Sequence, residues 1–156
     1  MTGIAGRITG LQRSTGGVPK LPVERVEVKV SGMDGDRQAN RKYHGGLDRA
    51  LCLYAQERLD ALLAEGHPVG RGMLGENVTI SGLRWELVQP GARLQLGAVE
   101  VEVTAYAPPC KTIGHAFKQR AFTRVSQVVN PGWSRVYVRI LGPGELAVGH
   151  AVTLAP

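Results

Sequence analysis

Valine alternates with charged residues in two stretches of the chain, and this repeat of two predicts half-buried β-strands. The first stretch covers residues 23–30 and places Val26, Val28 and Val30 on one face. The second stretch, residues 99–105, repeats the pattern with three further valines. Each predicted strand therefore has one face toward a core and one face toward solvent.

Six other apolar runs have the length of single strands and are separated by glycine and proline turns. They cover residues 4–11, 50–54, 77–83, 92–96, 134–141 and 151–154. Runs this short favour an antiparallel or mixed β-barrel over a parallel α/β sheet. The sequence therefore predicts a mainly β protein with a few short helices.

One amphipathic helix interrupts this β pattern. Ala55, Leu59, Leu62 and Leu63 form one apolar stripe at helical spacing, and Gly66 supplies the C-terminal cap. With 156 residues, 43% of them hydrophobic, the chain is long enough for one domain with a core and too short for two. We interpret residues 1–156 as a single domain.

The chain shows no pattern typical of export or of membrane insertion. Its first residues contain no basic stretch followed by an apolar run, and no run of about 18 apolar residues occurs anywhere. We expect a cytoplasmic protein that does not enter the membrane. In such a reducing compartment the two cysteines are expected to remain thiols.

The charge balance favours anionic partners. The chain has 19 Lys and Arg against 13 Asp and Glu, a net charge of +6, which suits nucleic acid, a membrane surface or a phosphorylated small molecule. Aromatic residues make up only 5%, which leaves few stacking platforms for nucleic-acid bases. Because the basic residues are also scattered, nucleic acid is an improbable partner.

The densest polar stretch covers residues 34–51 and leads straight into an apolar strand. Loops at the ends of buried strands often carry binding groups. Cationic side chains around a glycine pair suit a phosphate or another anion, although a solvated loop is the alternative interpretation. The candidate binding residues are Arg41, Lys42, His44, Gly45, Gly46, Asp48 and Arg49.

Residues 70–75 match the G-x-G-x-x-G pattern of dinucleotide-binding loops, but the context is wrong. That motif needs a strand before it and a helix after it, whereas here a proline precedes it and a β-branched run follows. A glycine-rich loop can still bring backbone N–H groups close to a ligand. Gly75, Glu76 and Asn77 therefore remain candidate site residues.

The two cysteines differ in their surroundings. Cys52 lies inside an apolar strand, as core-filling cysteines do. Cys110 follows Pro108 and Pro109, which stiffen the backbone and fix the direction of the thiol. A short helix predicted after it, with Lys111 beside it, favours the thiolate, the form that attacks electrophilic sulfur or binds a soft metal. A buried, inert thiol is the alternative.

Four stretches in fixed order carry a resemblance to a known family: residues 35–54, 75–83, 108–111 and 132–150. Together they resemble the MOSC domain family, named for the C-terminal domain of molybdenum cofactor sulfurases and also found as small stand-alone bacterial proteins. The resemblance runs from Gly3 to Leu154, nearly the whole chain. It implies a β-barrel related to the barrel domain of pyruvate kinase.

The resemblance also implies a site. The family's conserved cysteine falls on Cys110, where it would carry sulfur as a persulfide or bind the molybdenum of a pterin cofactor (molybdopterin). Members similar to the hydroxylaminopurine-detoxifying proteins usually carry arginine at the position of Ala107, so that substrate class is in doubt unless Lys111 or Arg135 supplies the charge. The family's His-Gly-Gly loop and Gly-Glu-Asn turn fall on His44, Gly45, Gly46, Asp48 and Arg49, and on Gly75, Glu76 and Asn77.

Three functions follow as hypotheses. The first is an oxidoreductase component that binds the molybdenum cofactor, uses Cys110 as metal ligand and reduces N-hydroxylated compounds. The second is a sulfur transferase in which Cys110 carries sulfane sulfur and the basic surface binds an acidic protein or redox partner. The third is a non-catalytic basic barrel that binds RNA or a protein.

Overall fold

The first strand, β1 (Ile4–Arg13), holds the main sheet together because it pairs with three different partners. Its start pairs with β11 (Ala151–Leu154), its middle with β6 (Val78–Ser81) and its end with β2 (Leu21–Val23), all antiparallel. The computed structural model describes residues 4–37 and 46–156. Within these residues, the pairing of β1 with β11 closes the main sheet, and its pairing with β2 adds a strand beside it.

Seven strands close into a barrel. Besides β1, β2, β6 and β11, the described strands are β3 (Arg25–Lys29), β4 (Gly32–Met33), β5 (Leu51–Ala55), β7 (Arg93–Leu96), β8 (Val99–Tyr106), β9 (Val136–Gly142) and β10 (Gly144–Ala147). Not all of these belong to the barrel. The barrel order is β1-β6-β5-β9-β8-β7-β11, and β11 pairs back onto β1. Among the described strands of this barrel, the β5–β6 pair is parallel and the other pairs are antiparallel. The predicted mixed, mainly β barrel is confirmed.

A separate small sheet, in the order β10-β3-β4, contains the first of the two alternating valine stretches. Val26 and Val28 are buried as predicted, but Val30 is 48% exposed. The prediction for Val30 is wrong because β3 ends at Lys29 and Val30 lies in the turn that leads to β4. The second valine stretch, in β8, has all three valines buried in the barrel.

The predicted helix is confirmed as α1 (Gln56–Ala64), with Leu59 and Leu62 buried. Leu63 is 58% exposed, so the apolar stripe is narrower than predicted. Gly66 takes φ +96 after the last turn, the left-handed conformation that glycine adopts readily. The remaining helices are short 3-10 turns: Leu47–Arg49, Trp85–Leu87, Lys111–Ala116, Lys118–Arg120 and Phe122–Val125.

Strand β5 separates the barrel core from a second apolar cluster on the outside of the barrel wall. All of its residues are buried, and Leu51 and Leu53 belong to the main core. Cys52, between them, belongs instead to a small cluster with Ala107 and Tyr137. Because neighbouring strand residues point to opposite faces, this cluster backs onto the outer surface beside β5 and β9.

No helix in the described part of the chain is long and apolar enough to cross a bilayer.

Two adjacent leucines of α1 provide a matched test of the core. Leu62→Ala should lower the free energy of unfolding by about 2–5 kcal/mol, because it opens a cavity at a completely buried position. Leu63→Ala should change it by less than about 0.5 kcal/mol, since that side chain is mostly exposed. Urea unfolding of both variants checks the difference, and equal losses would contradict the placement of α1.

Candidate functional site

Cys110 lies between the end of β8 and the 3-10 helix Lys111–Ala116, and it is partly exposed. Its backbone is extended, with φ −145 and ψ 176, and its carbonyl accepts the Ile113 N–H at 3.1 Å. Cys52 is only 3% exposed, and burial raises the pKa of its thiol to about 11. Of the two thiols, Cys110 is therefore the one that a ligand or reagent reaches.

Arg135 connects the loop that contains Cys110 with the glycine-rich loop, residues 70–75. Its guanidinium donates to the carbonyls of Leu74 at 2.7 Å, Ala107 at 3.2 Å and Pro108 at 3.3 Å. We call these three contacts the Arg135 bridge. The side chain is buried, and its Nε–H has no hydrogen-bond partner among the described residues. Arg135 therefore fixes the backbone that leads to Cys110.

Ala107 occupies the position where the family resemblance leads one to expect an arginine. It is completely buried, and its N–H donates to the carbonyl of Arg135 at 2.9 Å. Arg135 thus lies directly across from it on the neighbouring segment. The cation near this position comes from Arg135, and its hydrogen bonds go to main-chain carbonyls.

Glu76, in the Gly-Glu-Asn turn, is completely buried. One carboxyl oxygen accepts the Leu74 N–H at 3.3 Å, while Oε2 has no partner among the described residues. Burial raises the pKa of Glu76 to about 7; nearby backbone N–H groups and the charge of Arg135 oppose that rise. Gly75, before it, takes φ +79, a turn conformation in which L side chains are strained.

Asn77 links three parts of the barrel through its side-chain amide. Its Oδ1 accepts the Cys52 N–H at 3.0 Å, and its Nδ2 donates to the Gln12 carbonyl at 3.3 Å and to Asp36 Oδ2 at 3.0 Å. Asn77 is completely buried. The contacts of Glu76 and Asn77 are thus to the chain itself, and direct contact with a ligand stays a prediction for both.

A buried ion pair lies next to this turn. Lys20 Nζ is 2.7 Å from Asp36 Oδ1, and the two side chains are 5% and 6% exposed. Asp36 Oδ1 also accepts the Ser14 N–H at 2.9 Å. Since the Arg37 N–H donates to the Ser14 carbonyl at 2.7 Å, this pair fixes the start of the predicted anion-binding loop. Lys20 is not among the residues predicted from the sequence, because one lysine between two prolines carries no motif.

Tyr137 lies within electrostatic range of both cysteines and of two arginines. Its side chain is 5% exposed, and the Arg49 guanidinium lies 5.1 Å from the ring centroid. Burial raises the pKa of its hydroxyl to about 12; negative charge on Cys52 and Cys110 adds to the rise, and Arg135 and Arg49 oppose it. Arg49 and Cys110, far apart in sequence, are thus within electrostatic range of the same hydroxyl.

Gly46 and Asp48 lie in the same corner of the fold as Arg49. Gly46 takes φ +97 ahead of the 3-10 helix Leu47–Arg49, and a Cβ there would meet no atom of the described residues within 4 Å. The Asp48 carbonyl accepts a hydrogen bond from the Thr104 hydroxyl of β8. The other residues predicted in this loop, Arg41, Lys42, His44 and Gly45, lie outside the described residues.

A basic surface begins at Cys110. Lys111, His115, Lys118 and Arg120 are all exposed, and the segment that carries them contains no acidic residue. The Arg120 guanidinium donates to the Lys111 carbonyl at 3.0 Å, which draws the two ends of this segment together. We call these four residues the basic face. It provides positive charge directly beside the reachable thiol.

Comparison with known proteins identifies the family. The MOSC domain family matches residues 40–153, so the chain belongs to this family. The chain is 30% identical over 142 residues to the uncharacterized protein YflK of Bacillus subtilis, covering 88% of this chain and 62% of YflK. It is 29% identical over 128 residues to the protein YiiM of Escherichia coli, covering 79% of this chain and 56% of YiiM.

The same fold occurs in solved structures. The crystal structure of YiiM from Escherichia coli matches with a TM-score of 0.70 over 96% of this chain and 70% of that one, at 21% identity. The YUAD protein of Bacillus subtilis matches with a TM-score of 0.75 over 97% and 96%, at 16% identity. These likenesses concern the fold. The chain spans less than two thirds of YflK and of the curated YiiM sequence.

Glu76 should make the protein less stable as the pH rises, the reverse of a salt-bridged carboxylate. Burial raises its folded-state pKa to about 7 from 4.5, so the folded protein holds a proton that the unfolded chain releases between these values. Its contribution is complete below pH 4.5 and is lost as the pH rises through 7. Glu76→Gln keeps the shape and removes this titration.

The measurement is urea unfolding of wild type and Glu76→Gln at about pH 5 and about pH 8, on either side of the titration. The wild type should lose stability relative to the variant between the two conditions. A difference between the two proteins that stays constant with pH would contradict the assignment.

Proposed function

We propose that this MOSC domain protein binds a molybdopterin-type cofactor with Cys110 as the protein ligand to molybdenum. The observation that carries the proposal is the position of the Cys110 thiol, partly exposed and held by the Arg135 bridge at the edge of the basic face. A thiolate is a soft ligand suited to such a metal. The MOSC family is associated with molybdenum cofactor binding, which supports the same conclusion.

The residues of the site fit the proposed cofactor in kind. Exposed Lys111, next to Cys110 in the chain, and half-buried Arg49, over the Tyr137 ring, supply positive charge, as an anionic pterin phosphate requires. Glu76 Oε2 and Arg135 Nε are buried polar atoms without partners among the described residues. Of the two, the free Glu76 Oε2 is an acceptor that suits a molecule with its own hydrogen-bond donors.

The chain's own residues then do three things. Cys110 would bind the metal, the cations would hold the anionic group, and Tyr137 would form part of the buried wall within electrostatic range of the sulfur. When bound, the molybdenum centre supplies the two-electron chemistry for reducing N-hydroxylated compounds. The basic face is the surface on which an acidic protein would deliver the electrons.

Sulfur transfer is the second candidate, and the partial exposure of Cys110 at the basic face favours it as well. The thiolate of Cys110 would attack the outer sulfur of a donor persulfide, form a new S–S bond and release the donor thiolate. The acceptor would then take that sulfur in the same way. No metal takes part in this route.

Metal analysis separates the two candidates. Wild type purified from a host that makes the molybdenum cofactor should contain molybdenum, and Cys110→Ser should lose most of it, because serine offers a hard oxygen in place of the soft sulfur. Cys52→Ala is the matched control and should keep the metal, since the Cys52 thiol is buried.

Molybdenum at background level in the wild-type protein would contradict the cofactor proposal. Intact mass before and after a thiol reductant then tests sulfur transfer: a persulfide adds one sulfur atom, about 32 Da, that the reductant removes. This extra mass should be present in Cys52→Ala and absent from Cys110→Ser. Its absence from wild type under donor-rich conditions counts against the second candidate.

A further inference from the structure

The loop that carries Cys110 has an unusual shortage of hydrogen-bond donors. Pro108 and Pro109 have no N–H, so neither can be held in place by donating to a neighbour. Only their carbonyls can anchor them. Pro108 is itself exposed, so side-chain packing fixes it less than a buried residue. The direction of the Cys110 thiol therefore depends on what the carbonyls of Ala107 and Pro108 bind.

Arg135 supplies the donors that the loop lacks. One nitrogen of its guanidinium donates to both carbonyls, at 3.2 Å and 3.3 Å, and its main-chain carbonyl accepts the Ala107 N–H at 2.9 Å. The loop thus makes three hydrogen bonds with this one residue. The position of Arg135 is in turn fixed, because the Ser134 hydroxyl donates to its carbonyl at 2.7 Å.

The second arm of the guanidinium binds elsewhere in the site. It donates at 2.7 Å to the carbonyl of Leu74, whose N–H donates to the Glu76 carboxyl. The planar fork of arginine can bind two such groups at a fixed separation, whereas the single ammonium of lysine cannot. The cysteine loop and the Gly-Glu-Asn turn are therefore held at a fixed distance from each other.

From these contacts we infer that Arg135 is the positioning residue for Cys110: its fork, rather than its charge, sets where the thiol stands relative to the Gly-Glu-Asn turn. The inference rests on the proposed role of Cys110 as the functional thiol. It does not depend on which ligand or sulfur donor that thiol meets. Arg135 itself contacts main-chain carbonyls and is not assigned to the ligand.

The test is the rate at which iodoacetamide modifies Cys110, measured across neutral to alkaline pH and assigned by peptide mapping. The limiting rate at high pH reports access to the thiolate, while the midpoint of the profile reports the surrounding charge. Cys110 is only partly exposed while the loop is held. In Arg135→Lys the loop should leave its position more often, so the limiting rate should rise, with about fivefold for each hydrogen bond lost as the upper bound. Arg135→Gln should show the same rise in limiting rate.

Arg139→Gln is the matched control, because it removes a cation from the exposed face of the same strand segment. Its limiting rate should equal that of wild type. Full rescue of the wild-type rate by Arg135→Lys would show that only the charge matters and would overturn the inference. Wild-type rates in both Arg135 variants would overturn it as well. Neither result depends on molybdenum, so failure here is distinct from failure of the cofactor proposal.

If the Arg135 variants do not fold, a measurement on the wild type tests the same inference. In protein labelled with ¹⁵N-arginine, a guanidinium that donates to fixed carbonyls gives resolved, slowly exchanging Nη–H signals. The signals with contacts to the Ala107 methyl group belong to Arg135 and should show this behaviour. Rapidly averaged Arg135 signals in the folded wild type would contradict the inference.

Discussion

The hydrogen bonds from one buried guanidinium to three carbonyls are the constraint on which the site depends. Arg135 binds Leu74 on one arm and Ala107 with Pro108 on the other, so two loops that are distant in sequence share one anchor. A buried charge with incomplete hydrogen bonding is costly, and its removal leaves the carbonyls unpaired. This unfavourable burial occurs at the loop that positions the Cys110 thiol.

The polar groups behind the site form a layer rather than isolated pairs. Lys20 and Asp36 bind each other, Asp36 binds Asn77, and Asn77 binds the backbone of Cys52. Buried ion pairs contribute little net stability, so this layer is better understood as a device for fixing geometry. It aligns the start of the predicted anion-binding loop with β5 and with the turn that contains Glu76.

Much of the fold could be predicted from sequence because it depends on local spacing. The valines of β8 and the leucines Leu59 and Leu62 follow the periods of a strand and a helix, and burial follows from them. The errors at Val30 and Leu63 share one cause. Apolar residues just past the end of a strand, or at the margin of a helical stripe, resemble core residues in sequence, and only tertiary contacts decide their exposure.

The site was predictable only in part, for a different physical reason. Cys110 was distinguishable because two prolines precede it, and the Gly-Glu-Asn turn because glycine allows the chain to turn before a strand. The bridge made by Arg135 and the pair made by Lys20 connect residues that are far apart in sequence. No local pattern marks such a connection, since the partners of Arg135 are main-chain carbonyls that every residue possesses.

The central claim is that the anchored Cys110 sulfur meets the metal of a bound cofactor. X-ray absorption at the molybdenum edge tests it most directly, on wild type and Cys110→Ser supplied with the same excess of cofactor. We expect a thiolate sulfur ligand in wild type that is lost or replaced by oxygen in the variant. Identical sulfur coordination in the two proteins, or a wild type that holds no molybdenum, would contradict the account.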